Sequence, residues 1–175
     1  FPFTKSEISP ETAVWRQHLS VLDFNKDNKS DLAITLSNKD KIEILRNNSG
    51  VFVDNISLDV GDIPIHIETG DWDNDNDTDL SVTNRGNNSI TILNNINGEF
   101  ILSQTLNVGE SPLKSVKGDW NLDGSIDLAV LVSDSNPLEI WLNNGSSFYK
   151  SNITEINSGT YIFDCETLFK KINLI

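Results

Sequence analysis

The sequence predicts an all-β fold made of three repeats, each with four short antiparallel strands. The first indication is a period of 48 residues, because an acidic loop at residues 23–31 recurs at 71–79 and at 119–127. The second is that the segments between turns run for about five to seven residues and are rich in Ile, Val, Leu and Thr, which favours strands over helices. The third is the tight turns between these segments, which favour an antiparallel meander.

Repeat one illustrates the order of the elements. A first strand leads into the acidic loop and a second leaves it, and turns rich in Asn, Ser, Asp and Gly separate the remaining strands. Four short strands are the composition of one β-propeller blade. The predicted bounds are a first strand at about 16–22, a second at 32–36, a third at 41–46 and a fourth that opens at Val51.

The chain is expected to form one structural domain of β-propeller-type blades. Complete blades are predicted at 16–63, 64–111 and 112–159. Residues 1–15 resemble the outer strand of a preceding blade, and residues 160–175 are a partial blade or an assembly segment, whose strand or helix type stays open. Two aligned apolar layers are predicted to be buried, namely Leu32, Leu80 and Leu128, and Ile44, Ile92 and Ile140.

The acidic loops have the residue types and spacing of calcium sites. Oxygen-bearing side chains fall at loop positions 1, 3, 5 and 9, and position 7 can offer its backbone carbonyl, which suits an ion that takes about six to eight oxygen ligands. Position 6 holds Asn28, Asn76 or Gly124, residue types that tolerate a positive φ. We therefore predict three Ca²⁺ sites with the ligand positions Asp23, Asn25, Asp27, Lys29 and Asp31; Asp71, Asp73, Asp75, Asp77 and Asp79; and Asp119, Asn121, Asp123, Ser125 and Asp127.

An EF-hand is rejected, because position 12 of each loop is aliphatic where that motif needs Glu, and because the flanks are predicted strands. Solvated acidic turns without a metal are the plain alternative, which the threefold recurrence of the spacing disfavours. Loop 71–79 is expected to bind calcium most tightly, since it has four carboxylates at ligand positions and each of the other loops has three carboxylates and an Asn.

The composition bounds the partners. The net charge is −13, from 26 acidic and 13 basic residues, and this disfavours nucleic acid and anionic membrane surfaces, both of which attract Lys and Arg. No apolar run approaches the roughly 18 residues of a membrane-spanning helix, so no membrane insertion is expected. Cys165 is the one cysteine, which excludes an intrachain disulfide and favours a buried small side chain. The lack of Met indicates a processed or excerpted product.

Glycosylation acceptor motifs are unusually frequent, which is typical of a secreted, loop-rich surface. Two of them, at Asn28 and Asn76, fall inside the acidic loops, where a glycan is less plausible. An extracellular or cell-surface location is therefore predicted. The remaining candidates are Asn47, Asn55, Asn87, Asn144 and Asn152.

Two histidines and two tryptophans recur at the repeat spacing. His18 and His66 are 48 residues apart, so they are expected on separate blades with structural roles rather than in one catalytic cleft. Trp72 and Trp120 also share a repeat position, and packing between blades is favoured over a sugar-stacking platform.

The loop flanks carry a family resemblance. The segments Leu22-Asp23-Phe24-Asn25, Gly70-Asp71-Trp72-Asp73 and Gly118-Asp119-Trp120-Asn121, with Asp-Leu closing each loop and Asn-rich turns downstream, resemble FG-GAP/VCBS repeats, the calcium-binding blades of integrin-α-type propellers. The resemblance covers roughly residues 16–159 and implies a cation held between the first and second strands of each blade. Repeat one departs from it, with Leu22 in place of glycine, and so does repeat three, with Ser146 in place of the glycine at positions 50 and 98.

The function predicted from these patterns is a non-enzymatic, calcium-stabilised structural or interaction module, of the kind used in cell adhesion. Its expected partner is itself, in a head-to-tail ring or filament, or a protein or glycan ligand. Two alternatives stay open: the propeller scaffold of a secreted enzyme that acts on glycans or lipids, and a lectin-like glycan binder. The chain could also be a piece of a longer propeller, because three complete blades are fewer than a closed ring needs.

Overall fold

The chain folds into three four-stranded antiparallel sheets, as seen in a computed structural model that describes residues 15–133 and 137–151, without the side chains of residues 54 and 55. Each sheet follows chain order, so every strand pairs with the next one along the sequence. No helix occurs among the described residues, and none there could cross a membrane. The prediction of an all-β fold with four-stranded antiparallel repeats is confirmed.

The strand bounds follow the 48-residue period. In repeat one the first strand begins at Leu19 rather than at about residue 16, and the third and fourth are longer than their apolar segments alone, since they continue into the Asn-rich turn between them. The strands of the first sheet are β1 (Leu19–Leu22), β2 (Asp31–Leu36), β3 (Lys41–Asn48) and β4 (Val51–Asp59); those of the second are β5 (Pro64–Gly70), β6 (Asp79–Asn84), β7 (Ser89–Ile96) and β8 (Glu99–Asn107); and those of the third are β9 (Lys114–Gly118), β10 (Asp127–Leu131), β11 (Leu138–Asn143) and β12 (Phe148–Lys150).

Each acidic loop connects the first and second strands of its sheet, and two of its residues have a positive φ. Position 6 does so as predicted, with φ of 61° at Asn28, 67° at Asn76 and 91° at Gly124. Position 4 does so too, although only one of its three residues is of a type that favours this conformation: φ is 56° at Lys26 and 60° at Leu122. The loop is therefore wound more tightly than the residue types at position 4 indicate.

The hydrophobic core lies in two layers between successive sheets. Residues that pair across strands share a face, so the register places Ala33 and Ile44 on the side of the first sheet that meets the second sheet. On the second sheet, Leu80 points back to the first layer and Ile92 forward to the layer shared with the third sheet. Trp72 is 2% exposed in that second layer and packs edge-on against Phe148, with ring centroids 5.8 Å apart, which confirms its predicted core role.

The prediction that all six aligned aliphatic residues are buried is wrong at one position. Leu80 and Leu128 are fully buried, but Leu32 is half-buried. The reason is the face on which it lies: Leu32 pairs with Val21 and Leu45 on the side of the first sheet that is opposite to the second sheet. The equivalent leucines of the other repeats each point toward a preceding sheet.

A glycine before two of the loops makes room for an aromatic ring. A Cβ atom at Gly70 would lie 2.5 Å from Cη2 of Trp72, and one at Gly118 would lie 2.6 Å from the ring of Trp120. Repeat one has Leu22 at this position, and its aromatic residue is the smaller Phe24. The residue before the loop and the ring within it therefore vary together.

The first strands of successive sheets lie side by side, as do β1 and β5 and then β5 and β9. Within residues 15–133 and 137–151 the three sheets form no closed barrel or propeller. The partial blades predicted at 1–15 and 160–175, together with Cys165, lie outside the described residues. The division into blades within one domain stays a prediction.

Candidate metal centres

The second acidic loop is held by hydrogen bonds from its own backbone to its carboxylates. The Asp75 N–H donates to Oδ1 of Asp71 over 3.0 Å and to Oδ1 of Asp73 over 3.3 Å, and the Asn76 N–H donates to Oδ2 of Asp71 over 2.9 Å. The positive φ at position 6 turns the Asn76 N–H toward the loop interior. The same bonds to positions 1 and 3 recur in the first and third loops. The three loops therefore share one fold.

The carboxylate at position 9 joins its loop to the sheet. Asp79 is fully buried, and its two oxygens accept N–H groups from Trp72, at 2.6 Å, and from Asn95 on β7, at 2.7 Å. Asp31 and Asp127 are also fully buried and accept the equivalent pairs of amides. Each position-9 aspartate thus has a structural role beside the predicted role of metal ligand, and its remaining lone pairs face the loop.

Three carboxylates of the second loop converge. One oxygen from each of Asp71, Asp73 and Asp79 lies within 4.8 Å of the others, and this is the one such group of acidic, His or Cys side chains in the part of the chain that the structure describes. Hard oxygen donors at this separation suit Ca²⁺ rather than a metal that prefers nitrogen or sulfur. The residues present therefore fit the ion that the sequence predicts.

The electrostatics of this group favour a cation. Burial raises the pKa of Asp79 to about 6, and hydrogen bonds from the Asn95 and Trp72 amides oppose that rise. Burial also raises the pKa of Asp73, with repulsion from Asp75 and Asp71 adding to it. Both shifts have the sign expected where carboxylates share a site without a counter-ion.

The other predicted ligand positions of the second loop lie differently. Asp75 accepts the Asp77 N–H at its Oδ1 over 2.7 Å and stands outside the converging group. The Asp77 side chain forms an ion pair with Lys26 of the first loop and accepts the Asn97 N–H over 3.2 Å. Asp77 therefore has its backbone carbonyl, not its carboxylate, left for a metal, in agreement with the predicted role of position 7.

The first and third loops have amides where the second has Asp73. Asn25 and Asn121 each accept the position-5 amide at their Oδ1, and position 7 holds Lys29 or Ser125. Lys29 donates from Nζ to Asp27 of its own loop over 3.1 Å. These loops keep the shape of the second loop with less negative charge.

The two histidines are not separated as predicted. The rings of His18 and His66 lie with their centroids 4.2 Å apart, and the Ile67 N–H donates to Nδ1 of His18 over 3.2 Å. The expectation failed because β1 and β5 are neighbours, so that equivalent side chains on different sheets meet. Burial lowers the pKa of His66 to about 3, and the positive charges of His18 and Lys114 act in the same direction, so His66 is neutral at physiological pH.

The glycosylation candidates differ in how far their amides are engaged. Asn87 and Asn144 are exposed, and their Oδ1 atoms accept hydrogen bonds from nearby residues. Asn47 is half-buried, and its Nδ2, the atom that a glycan would modify, donates to the Ser30 carbonyl over 3.0 Å. The Asn55 side chain and Asn152 lie outside the described residues.

Sequence reasoning identified the aligned Asn95 and Asn143 but missed what they do. The Asn95 Nδ2 donates to the Phe24 carbonyl in the preceding loop over 2.7 Å, and the Asn143 Nδ2 donates to the Trp72 carbonyl over 2.8 Å. Each amide also bonds within its own repeat. The recurrence of Asn in an apolar setting was the signal that could have indicated this link between repeats.

The fold and the loops define a repeat protein whose units are four-stranded antiparallel sheets with an acidic loop after the first strand. Residues 23–82 match the FG-GAP-like repeat family, which is consistent with an FG-GAP repeat protein. No curated protein matches the chain. The family match suggests a protein-interaction module, and repeats of this family are typically non-catalytic.

Proposed function

We propose that the protein is a calcium-stabilised extracellular interaction module that acts without catalysis. The observation that carries the proposal is the convergence of Asp71, Asp73 and Asp79 within 4.8 Å on a loop whose backbone conformation recurs in all three repeats. Calcium is proposed at each loop, held by the residues at positions 1, 3, 5 and 9 and the carbonyl at position 7. Bound Ca²⁺ would supply positive charge that offsets the repulsion between these carboxylates.

Calcium binding is tested with the full chain after removal of divalent ions. Asp71→Asn is expected to abolish the tightest of three binding events in isothermal titration calorimetry, because it removes a charge while keeping an acceptor oxygen for the loop amides. Asp73→Asn is expected to weaken that event to the level of the other two loops, which have Asn at this position. Glu99→Ala, an exposed acidic residue outside the loops, is the control. Absence of any calcium heat in the unmodified protein would reject the proposal.

The extracellular location is supported by the acceptor motifs at the exposed Asn87 and Asn144. It is also supported by the calcium sites, since modules with such oxygen ligand sets often bind at about 10⁻⁴ to 10⁻³ M, the range of extracellular calcium. Resistance or sensitivity of the secreted protein to a glycosidase tests it directly.

We propose that the partner is a repeat of the same kind, supplied by a second copy of the chain. The face of the first sheet that is turned away from the second sheet has Leu19 at 51% and Val21 at 57% exposure. In repeat two the residue equivalent to Leu19 is Ile67, which is 1% exposed because the first sheet covers it. The surface that fits this face is therefore the far side of another such sheet, and the third sheet has that side, formed around Ile140.

Self-association is expected to disappear in Val21→Lys, because a charge would have to be buried at the junction. Ile101→Lys is the matched control, since Ile101 is also a strand residue, is 50% exposed and lies on the outermost strand of the second sheet. Sedimentation velocity in calcium at several concentrations measures the effect. A monomer at every concentration would show that the partner is a different protein.

A further inference from the structure

Position 4 of each loop contacts the loop of the next repeat. Lys26 in the first loop forms an ion pair with Asp77, the position-7 residue of the second loop. Asn74 in the second loop lies against Gly145, where a Cβ atom would be 2.5 Å from the Asn74 Nδ2 and 3.7 Å from Oγ of Ser125, the position-7 residue of the third loop. The positive φ at position 4 directs both side chains outward to this contact.

The two contacts differ in charge. The first joins an ammonium to a carboxylate, whereas the second brings together neutral side chains. The second loop is also the most acidic, with five aspartates against three in each of the others. Lys26 is close enough to act electrostatically on Asp71 and Asp75 as well as on Asp77. The most acidic loop is therefore the one that receives a positive charge from its neighbour.

We infer that Lys26 lowers the calcium affinity of the second loop and links that affinity to the position of the first loop. The inference rests on the proposed calcium site at residues 71–79. Without calcium, the ammonium partly neutralises the aspartates of the second loop and stabilises the junction between the first two repeats. With calcium, two cations face the same carboxylates, so the ammonium opposes the ion.

The geometry of Asp77 lets both states exist without a rearrangement of the loop. Its side chain is 9% exposed and points to Lys26 and the Asn97 N–H, outside the group formed by Asp71, Asp73 and Asp79. Lys26 thus acts on the ion through space and through Asp77, without occupying a ligand position. Its effect is graded, and salt weakens it because the ammonium side chain is 59% exposed.

The test replaces Lys26 by methionine, which keeps the length of the side chain and removes the charge. Calorimetry of the full chain at low salt is expected to show calcium binding at the second loop about 3- to 10-fold tighter in Lys26→Met, with the gain shrinking in about 0.5 M NaCl. The gain is expected to vanish in an Asp71→Asn background, which assigns it to the second loop. Lys29→Met is the matched control, because Lys29 pairs with Asp27 in its own loop.

Thermal unfolding gives a second readout that does not depend on calcium. In chelator, Lys26→Met is expected to unfold at a lower temperature than the unmodified protein, and calcium is expected to narrow the difference. Equal or weaker calcium binding in Lys26→Met would overturn the inference while leaving calcium binding itself intact. No calcium heat in the unmodified protein would instead reject the proposed function, and an unchanged midpoint in chelator would show that the pair with Asp77 does not form.

Discussion

Gly70→Leu is expected to destabilise the protein by about 3 kcal/mol or more, and Trp72→Phe in the same chain is expected to restore much of the loss. The first atom added at Gly70 would lie 2.5 Å from the Trp72 ring, and that ring is 2% exposed between the second and third sheets. It has no free volume into which to move. The loss is a large part of the roughly 5–15 kcal/mol that stabilises a typical domain.

The rescue has a precedent inside the molecule. Repeat one has a leucine before its loop and a phenylalanine within it, and Leu22 and Phe24 are both buried, at 5% and 6% exposure. The double variant gives repeat two the same pair. Trp72→Phe alone is expected to cost stability as well, because the smaller ring leaves a cavity next to the glycine.

Urea unfolding of the two single variants and the double variant, in the presence of calcium, forms a double-mutant cycle. The double variant is expected to be more stable than Gly70→Leu alone, so that the two changes are strongly non-additive. Two additive losses would show that the glycine is needed for a reason other than the ring.

Much of the fold could be predicted because the decisive interactions are local. Strand segments, tight turns and the positive φ at Asn28, Asn76 and Gly124 depend on residues a few positions apart, and the 48-residue period repeats each indication three times. The converging oxygens of Asp71, Asp73 and Asp79 agree with the loop positions assigned to them.

The features that sequence reasoning missed all lie between repeats. A period of 48 residues places His18 and His66 at equivalent positions, but it does not state that the strands that hold them are 4.2 Å neighbours at the rings. The pairing of Lys26 with Asp77 depends in the same way on how one loop stands beside the next. Leu32 differs from Leu80 only in what lies against its face, which the repeat pattern leaves out. Distances between sheets depend on packing, and packing is not written in the spacing of one repeat.

Asn95→Ala is expected to destabilise the protein by about 2–4 kcal/mol, and Asn47→Ala, at the equivalent position of repeat one, by about 1 kcal/mol. Asn95 is 1% exposed; its Nδ2 donates to the carbonyls of Phe24 and Thr78, and its Oδ1 accepts the Gly98 N–H over 2.8 Å. Truncation leaves these buried groups without partners, and each such group costs about 1–3 kcal/mol.

Asn47 is a matched control because it keeps the bonds within its repeat and lacks, among the described residues, the bond to a preceding loop. Its Nδ2 donates to the Ser30 carbonyl, and its Oδ1 accepts the Gly50 N–H over 2.8 Å. The difference between the two variants in urea unfolding therefore measures the link between repeats. Hydrogen exchange in Asn95→Ala is expected to show faster opening at the Phe24 loop, since the first sheet loses its bond to the second. Equal losses in Asn47→Ala and Asn95→Ala would mean that apolar packing alone holds the repeats together.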